Sequence, residues 1–215
     1  MTAPSSVPRA EFTDLVLPET PRSLVLVLHG GSGRSSKPVD GTSLSWRRAR
    51  ALLHAVSPPL LDHGVGLALL RFQVKGWNGP TDPSPVADAR WALDTIATRY
   101  GLPVTILGHS MGGRTAVAVA DHPSVLGVVG LAPWLPPNEP FAPLRTKTLR
   151  VAHGSGDRIT SARATRRFVS QAQQAGIDAE FTDMGGVGHY MLRRVAEWNS
   201  FATRTCLEVA AEGSD

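Results

Sequence analysis

Val104-Thr105-Ile106-Leu107-Gly108-His109-Ser110-Met111-Gly112-Gly113 runs an apolar, strand-length segment into a serine set among glycines, and a helical pattern begins at Gly112. The pentapeptide 108–112 fits G-x-S-x-G in the place the pattern requires, after a strand and before a helix. A strand that turns straight into a helix leaves the serine in a strained conformation. Side chains at 108 and 112 would then collide with neighbouring backbone, which accounts for the glycines. The turn also presents Ser110 at a helix N-terminus, where unpaired N–H groups and the helix dipole favour negative charge. The alternative, a glycine-rich turn with an incidental serine, leaves the register with both flanking elements unexplained.

Outward from this turn, strand-length apolar runs at 24–28, 65–72, 125–131, 148–152 and 178–184 alternate with helical patterns at 46–56, 85–100, 112–120, 161–175 and 191–211. That alternation is the mark of a parallel sheet with crossover helices, whose strands are apolar throughout because both faces are covered. In 85–100, Val86, Ala89, Leu93, Ile96, Ala97 and Tyr100 share one helical face, and Gly101 with Pro103 ends it. A weakly alternating run at 11–17 is expected as an antiparallel edge strand. Glycine and proline gather at 30–41, 76–85 and 133–143, each after a strand C-terminus. Ligands bind at that edge of open α/β sheets. The expected organisation is a segment at 1–22 carrying the edge strand, followed by one α/β domain at 23–215.

Composition narrows the classes. Of 215 residues, 42% are hydrophobic and 19% charged, the balance of a globular domain. The lone Cys206 excludes an internal disulfide framework and a cysteine zinc cage. No apolar run approaches the ~18 residues of a membrane span. Residues 1–14 lack an apolar core of the signal-peptide kind, which makes the cytoplasm the default location. The formal charge of +4 comes from arginines scattered along the chain, with no basic stripe interleaved with aromatics, so a nucleic-acid partner is not expected.

A serine hydroxyl needs a base to take its proton and an acid to orient that base. Among seven histidines, His29, His109, His54 and His122 fall at a strand end, inside the turn, or in or beside helices. His189 ends the flexible loop Gly185-Gly186-Val187-Gly188 between the last strand and the last helix, and is the candidate base. The candidate acid is Asp157, in His153-Gly154-Ser155-Gly156-Asp157 directly after the strand at 148–152; its alternative is a helix cap, and its rivals are Asp183 and Glu139. An oxyanion needs two donors. One is the N–H of Met111; the other comes from His29-Gly30-Gly31-Ser32-Gly33, with Gly31 the first choice and Ser32 the second. That glycine loop lacks the Lys-Ser/Thr pair of a nucleotide P-loop. Trp77 and Trp134, with Phe141 and Trp46, are candidates for lining a substrate pocket, packing being the alternative. Ser32 and His109 are further substrate-binding candidates, and the side chains of His109 and Met111, which flank the nucleophile, are expected to shape the floor of the site.

Taken together, His29-Gly30-Gly31, Gly108-His109-Ser110-Met111-Gly112-Gly113, His153-Gly154-Ser155-Gly156-Asp157 and Gly188-His189 resemble the α/β-hydrolase family of serine esterases and thioesterases, over nearly the whole chain from residue 24. The chain order Ser110, Asp157, His189 is that of the fold. The resemblance implies a mostly parallel sheet flanked by helices. It also implies a nucleophilic serine, an acyl-enzyme hydrolysed by water, a small-molecule ester or thioester substrate, and neither cofactor nor metal. Serine at 110 argues against the branches that use a carboxylate nucleophile. One departure stands out: about fifteen proline-rich residues separate the strands at 125–131 and 148–152, too few for a cap domain, so a minimal lid or none is expected. A lyase or cyclase on the same scaffold, or a non-catalytic binder, remains the alternative, since fold does not dictate chemistry.

Overall fold

The computed structural model describes residues 9–212; the first eight positions of the N-terminal segment and the last three of the domain lie outside the described residues. Seven strands form one sheet: β1 (Glu11–Val16), β2 (Ser23–Leu28), β3 (Val65–Arg71), β4 (Val104–His109), β5 (Val125–Leu131), β6 (Thr148–His153) and β7 (Ala179–Asp183). Their spatial order is β1-β3-β2-β4-β5-β6-β7. β1 pairs antiparallel with β3, and every other neighbour is parallel. Five helices connect them: α1 (Leu44–Asp62), α2 (Ser84–Tyr100), α3 (Met111–Ala118), α4 (Ala162–Gln174) and α5 (Val195–Glu212). The chain belongs to the doubly wound α/β class anticipated from the alternation of elements.

β2 shows why its sequence is apolar without a break. Leu24, Leu26 and Leu28 enter one core with Ala92, Leu93 and Ile96 of α2, Ala116 of α3 and Phe168 of α4. Val25 and Val27 enter the other with Leu53 and Val56 of α1 and Trp198 and Phe201 of α5. Successive side chains point to opposite faces, and each face is roofed by helices. Between β5 and β6 stands only a single short 3-10 turn at Ala142–Leu144, whose Leu144 is buried. Among the described residues no cap domain stands above the strand ends.

Two helix boundaries differ from the sequence expectation. α1 continues past Val56 through Pro58 and Pro59 to Asp62. Proline inside a helix removes a backbone donor and crowds the preceding turn. Here the continuation is driven by Leu60, which is completely buried among Leu53, Val56 and Leu67. The last helix starts at Val195 rather than 191, because Met191 (φ 52°) and Arg194 (φ 56°) adopt left-handed backbone that no α-helix contains. Burial of Leu60 rather than local propensity thus holds the last turn of α1. Leu60→Ala should cost about 2–5 kcal/mol in urea denaturation; a loss near zero would mean that the turn after Pro59 contributes nothing to the core.

Candidate active site

The turn between β4 and α3 is shaped by contacts that admit no side chain. A Cβ on Gly112 would lie 2.2 Å from Leu28 O, and one on Gly108 would lie 2.4 Å from Gly112 O. With the backbone that close, Ser110 takes φ 55° and ψ −117°, a region that costs a non-glycine residue on the order of 1–3 kcal/mol. The surroundings hold it there. Ser110 N–H donates to Leu131 O, and its carbonyl accepts from the amides of Gly113, Arg114 and Trp134 at 3.0–3.2 Å.

The strain aims the hydroxyl outward at the C-terminal edge of the sheet, where His189 meets it. Ser110 Oγ donates to His189 Nε2 at 2.9 Å, and His189 Nδ1–H donates to Asp157 Oδ2 at 2.7 Å. Asp157 has a side chain only 1% exposed. Burial alone would raise its carboxyl pKa, but donors outweigh it. The amides of Ile159 and Thr160 bond Oδ1, and the Thr160 hydroxyl bonds Oδ2 at 2.8 Å. With His189 they bring the pKa from 3.8 down to about 2. The group is an anion at any ordinary pH, and a partner that keeps the Nδ1 proton on His189.

Two residues that sequence reasoning did not assign complete this cluster. His153, fully buried at the end of β6, donates from Nε2 to the same Asp157 oxygen at 2.9 Å and accepts the Thr165 hydroxyl at Nδ1. Burial lowers its pKa against the pull of Asp157. Thr160 Oγ1 lies 3.1 Å from His189 Nδ1 as well as against Asp157. The signal for both was proximity in sequence: His153 stands four residues before Asp157 and Thr160 three after, within one strand-to-helix loop. Of the rival acids, Asp183 pairs with Arg166 at 3.0 Å and Glu139 with Arg114 at 2.9 Å, both elsewhere.

His109 and His29 shape the floor. His109 Nε2–H donates to His189 O at 3.1 Å, with the two rings 4.9 Å apart. Burial first, then the nearby His189, pushes its pKa down to about 3, so it is a neutral brace. His29, completely buried, accepts Phe72 N–H at Nε2 and donates from Nδ1 to Gly30 O at 2.6 Å. Burial brings its pKa to about 4. It pins the glycine loop beside Ser110: a Cβ on Gly30 would lie 3.3 Å from Ser110 Cβ, and one on Gly31 would lie 2.4 Å from Met111 Cε. Among the described residues neither the Gly31 nor the Met111 amide donates to a protein group. Ser32 N–H is already bonded to Lys75 O at 2.8 Å, which removes the second-choice donor.

A cavity of about 580 Å³ opens beside Ser110. Its walls are not the ones the sequence suggested. Trp77 and Trp134 pack edge-to-face with centroids 6.0 Å apart, and the Arg114 guanidinium lies 4.0 and 4.5 Å from the two rings. They belong to a packed cluster completed by Glu139 and are not among the residues lining the cavity. Phe141 packs against Phe168, and Trp46 Nε1–H donates to Thr13. The Ser32 hydroxyl turns back to Lys75 O and Arg34 O. In their place the cavity is walled by Leu44, Arg47 and Arg48 at the start of α1 and by Tyr190 and Leu192 after His189, with Gly30, Gly31 and His109 near the serine.

Comparison with known proteins agrees with this architecture. No curated protein sequence matches the chain significantly. Among solved structures, an α/β serine hydrolase homologue from Coxiella burnetii superposes with TM-score 0.70 at 17% identity, covering 95% of this chain and 94% of that one. XC6422 from Xanthomonas campestris, described as a serine hydrolase without a lid, gives TM-score 0.66 at 17% identity over 90% of this chain and 86% of its own. The butyrate-bound esterase Est2 from Thermogutta terrifontis gives 0.66 at 15% identity, covering 95% of each chain. At such identities the likeness is one of fold. The model of the alpha/beta hydrolase family matches residues 24–210, nearly the whole domain, and the chain belongs to that family.

Proposed function

We propose that this hydrolase cleaves carboxylic esters or thioesters through an acyl-enzyme, with Ser110 as nucleophile, His189 as base and Asp157 as its orienting acid. The observation that carries the reading is the unbroken hydrogen-bond chain from Ser110 Oγ through His189 to the buried Asp157 carboxylate. Ser110 Oγ attacks the substrate carbonyl as His189 Nε2 takes its proton. The oxyanion is met by the N–H groups of Met111 and of Gly31, a residue that lines the cavity; among the described residues neither amide has a protein acceptor. As the tetrahedral species collapses, the bond to the leaving group breaks and His189 returns the proton to the departing oxygen or sulfur. Water then enters, gives a proton to His189 and attacks the acyl carbon. The acid leaves and Ser110 is restored.

The openness of the site supports a small substrate. Leu44 is 79% exposed and Leu192 72% exposed at the cavity rim, and only a short 3-10 turn separates β5 from β6. Such a cavity accommodates a short acyl or alcohol group and leaves a longer one reaching into solvent.

Ser110→Ala should reduce hydrolysis of short 4-nitrophenyl esters by on the order of 10⁴-fold or more while the thermal transition stays intact; hydrolysis at the parent rate would place the chemistry elsewhere. Asp157→Asn should lower kcat by about 10⁴-fold through loss of the correct His189 tautomer. Stability should respond to acid in a defined direction. A carboxyl whose pKa falls from 3.8 unfolded to about 2 folded stabilises fully above the higher value and loses that contribution as pH falls through the lower one. The urea midpoint difference between the parent and Asp157→Asn should therefore be flat at neutral pH and shrink between about pH 4 and pH 2. A difference independent of pH over that window would mean that the folded carboxyl is not held down by its donors.

A further inference from the structure

One wall of the Ser110 cavity takes no part in acyl transfer, yet it carries the only side chains there with a permanent charge. Arg47 and Arg48 both line the cavity, and no aspartate or glutamate does. Other arginines of the protein have carboxylate partners: Arg50 with Asp14, Arg114 with Glu139, Arg150 with Asp178. Arg48 differs. It is half-buried, its Nη2 donates to Met191 O at 2.7 Å, its Nε is buried without a partner, and it enters no ion pair among the described residues. Burial also pushes its pKa downward, so its surroundings do not supply the missing counter-charge. A half-buried cation with no anion is costly, and an anion arriving from outside offsets that cost.

We propose that the cavity selects substrates carrying a carboxylate, which the Arg48 guanidinium receives. An apolar stretch of the substrate lies between the carboxylate and the scissile carbonyl, against Leu44 and Leu192, and Arg47 adds attraction from the rim. A singly charged carboxylate matches the single half-buried guanidinium that lines the cavity, whose N–H groups not engaged by Met191 O meet it with charge-assisted hydrogen bonds. The inference rests on the serine-hydrolase reading of the same site and adds the substrate class to it. Arg48 is thereby a specificity residue, in addition to holding the backbone after His189 through Met191 O.

The test uses two fluorophosphonates with the same alkyl chain, one ending in a carboxylate and the other in a primary amide, matched for reactivity in buffer. Ser110 Oγ attacks phosphorus, a P–O bond forms, the P–F bond breaks and fluoride leaves, while the serine proton passes to His189. Intact mass against time gives the labelling rate for each probe. On the parent protein the carboxylate probe should label faster by on the order of tenfold, and added salt should narrow the gap. Arg48→Met should bring the ratio toward unity, and Arg48→Lys should restore part of it by keeping the charge without the fork. A purely structural role for Arg48 would slow both probes alike and leave the ratio untouched, which overturns the inference. Equal labelling of the parent by both probes overturns it too, while leaving Ser110 an activated nucleophile. If neither probe labels the folded parent, the serine-hydrolase reading fails and this one with it. Should Arg48→Met not fold, the parent ratio and Arg48→Lys decide the matter.

Discussion

The start of α3 lies so close to the end of β2 that no side chain fits between them, and the rest of the site follows from that approach. Leu28 O stands where a Cβ on residue 112 would go, and a Cβ on Gly113 would meet Pro133 at 2.7 Å. With both sides closed, the chain leaving β4 turns within a single residue, and that residue takes the strain. The loop after β2 comes against the same turn, where a Cβ on Gly31 would lie 2.4 Å from Met111 Cε. That steric constraint sets the backbone of Ser110, and the hydrogen bonds to its N–H and carbonyl hold it there.

The second half of the site is organised by charge. Asp157 sits at the end of β6, one strand beyond β5 and two from β4, and receives donors from two backbone amides, one hydroxyl and two imidazoles. Its negative charge lies at 1% exposure and, among the described residues, without an arginine or lysine partner, held by backbone amides, a hydroxyl and two imidazoles. That arrangement suits the role proposed for Asp157, in which the carboxylate favours a positive imidazole transiently. A permanent cation beside Asp157 would neutralise the carboxylate and weaken its pull on His189 as the ring takes a proton. His153 and Thr160 satisfy the lone pairs of Asp157 and leave its net charge to act on His189 alone.

How much of this was legible beforehand depended on whether a feature is local. The mostly parallel sheet follows from β-α alternation, and the continuous apolar run of β2 announced a strand covered on both faces. The glycines around Ser110 were legible because a steric requirement at one turn maps onto adjacent residues. His189 and Asp157 were expected from their places after strand ends, and the structure brings the two side chains together. The cavity walls were not found, because they come from elements distant in sequence. Leu44 and Arg48 begin a helix, whereas Leu192 lies more than a hundred residues later. Trp77 and Trp134 misled for the opposite reason. Their loops do sit at the correct edge of the sheet, but Arg114 on α3 lies between them and Glu139, and the guanidinium turns both indoles into packing. The α1 boundary failed at Pro58 because burial of Leu60, a tertiary effect, outweighs local propensity.

The base and the cavity wall are physically one unit. The loop that carries His189 has no regular secondary structure from Gly185 to Arg194, and two of its residues are left-handed without being glycine. Side-chain donors to backbone carbonyls hold it instead: Arg194 to Met184 O, His109 to His189 O and Arg48 to Met191 O. Hydrogen bonds from a guanidinium to a carbonyl are stronger than those between neutral groups, about 1.5–3 kcal/mol against about 1 kcal/mol. Two of the three donors here are arginines, which lets a loop without ladder bonds keep an imidazole within hydrogen-bond distance of Ser110. It also means that whatever binds Arg48 pulls on the chain two residues from the base. If Arg48 receives the substrate as proposed, recognition at that wall and placement of the His189 ring cannot vary independently, because a single side chain bears on both.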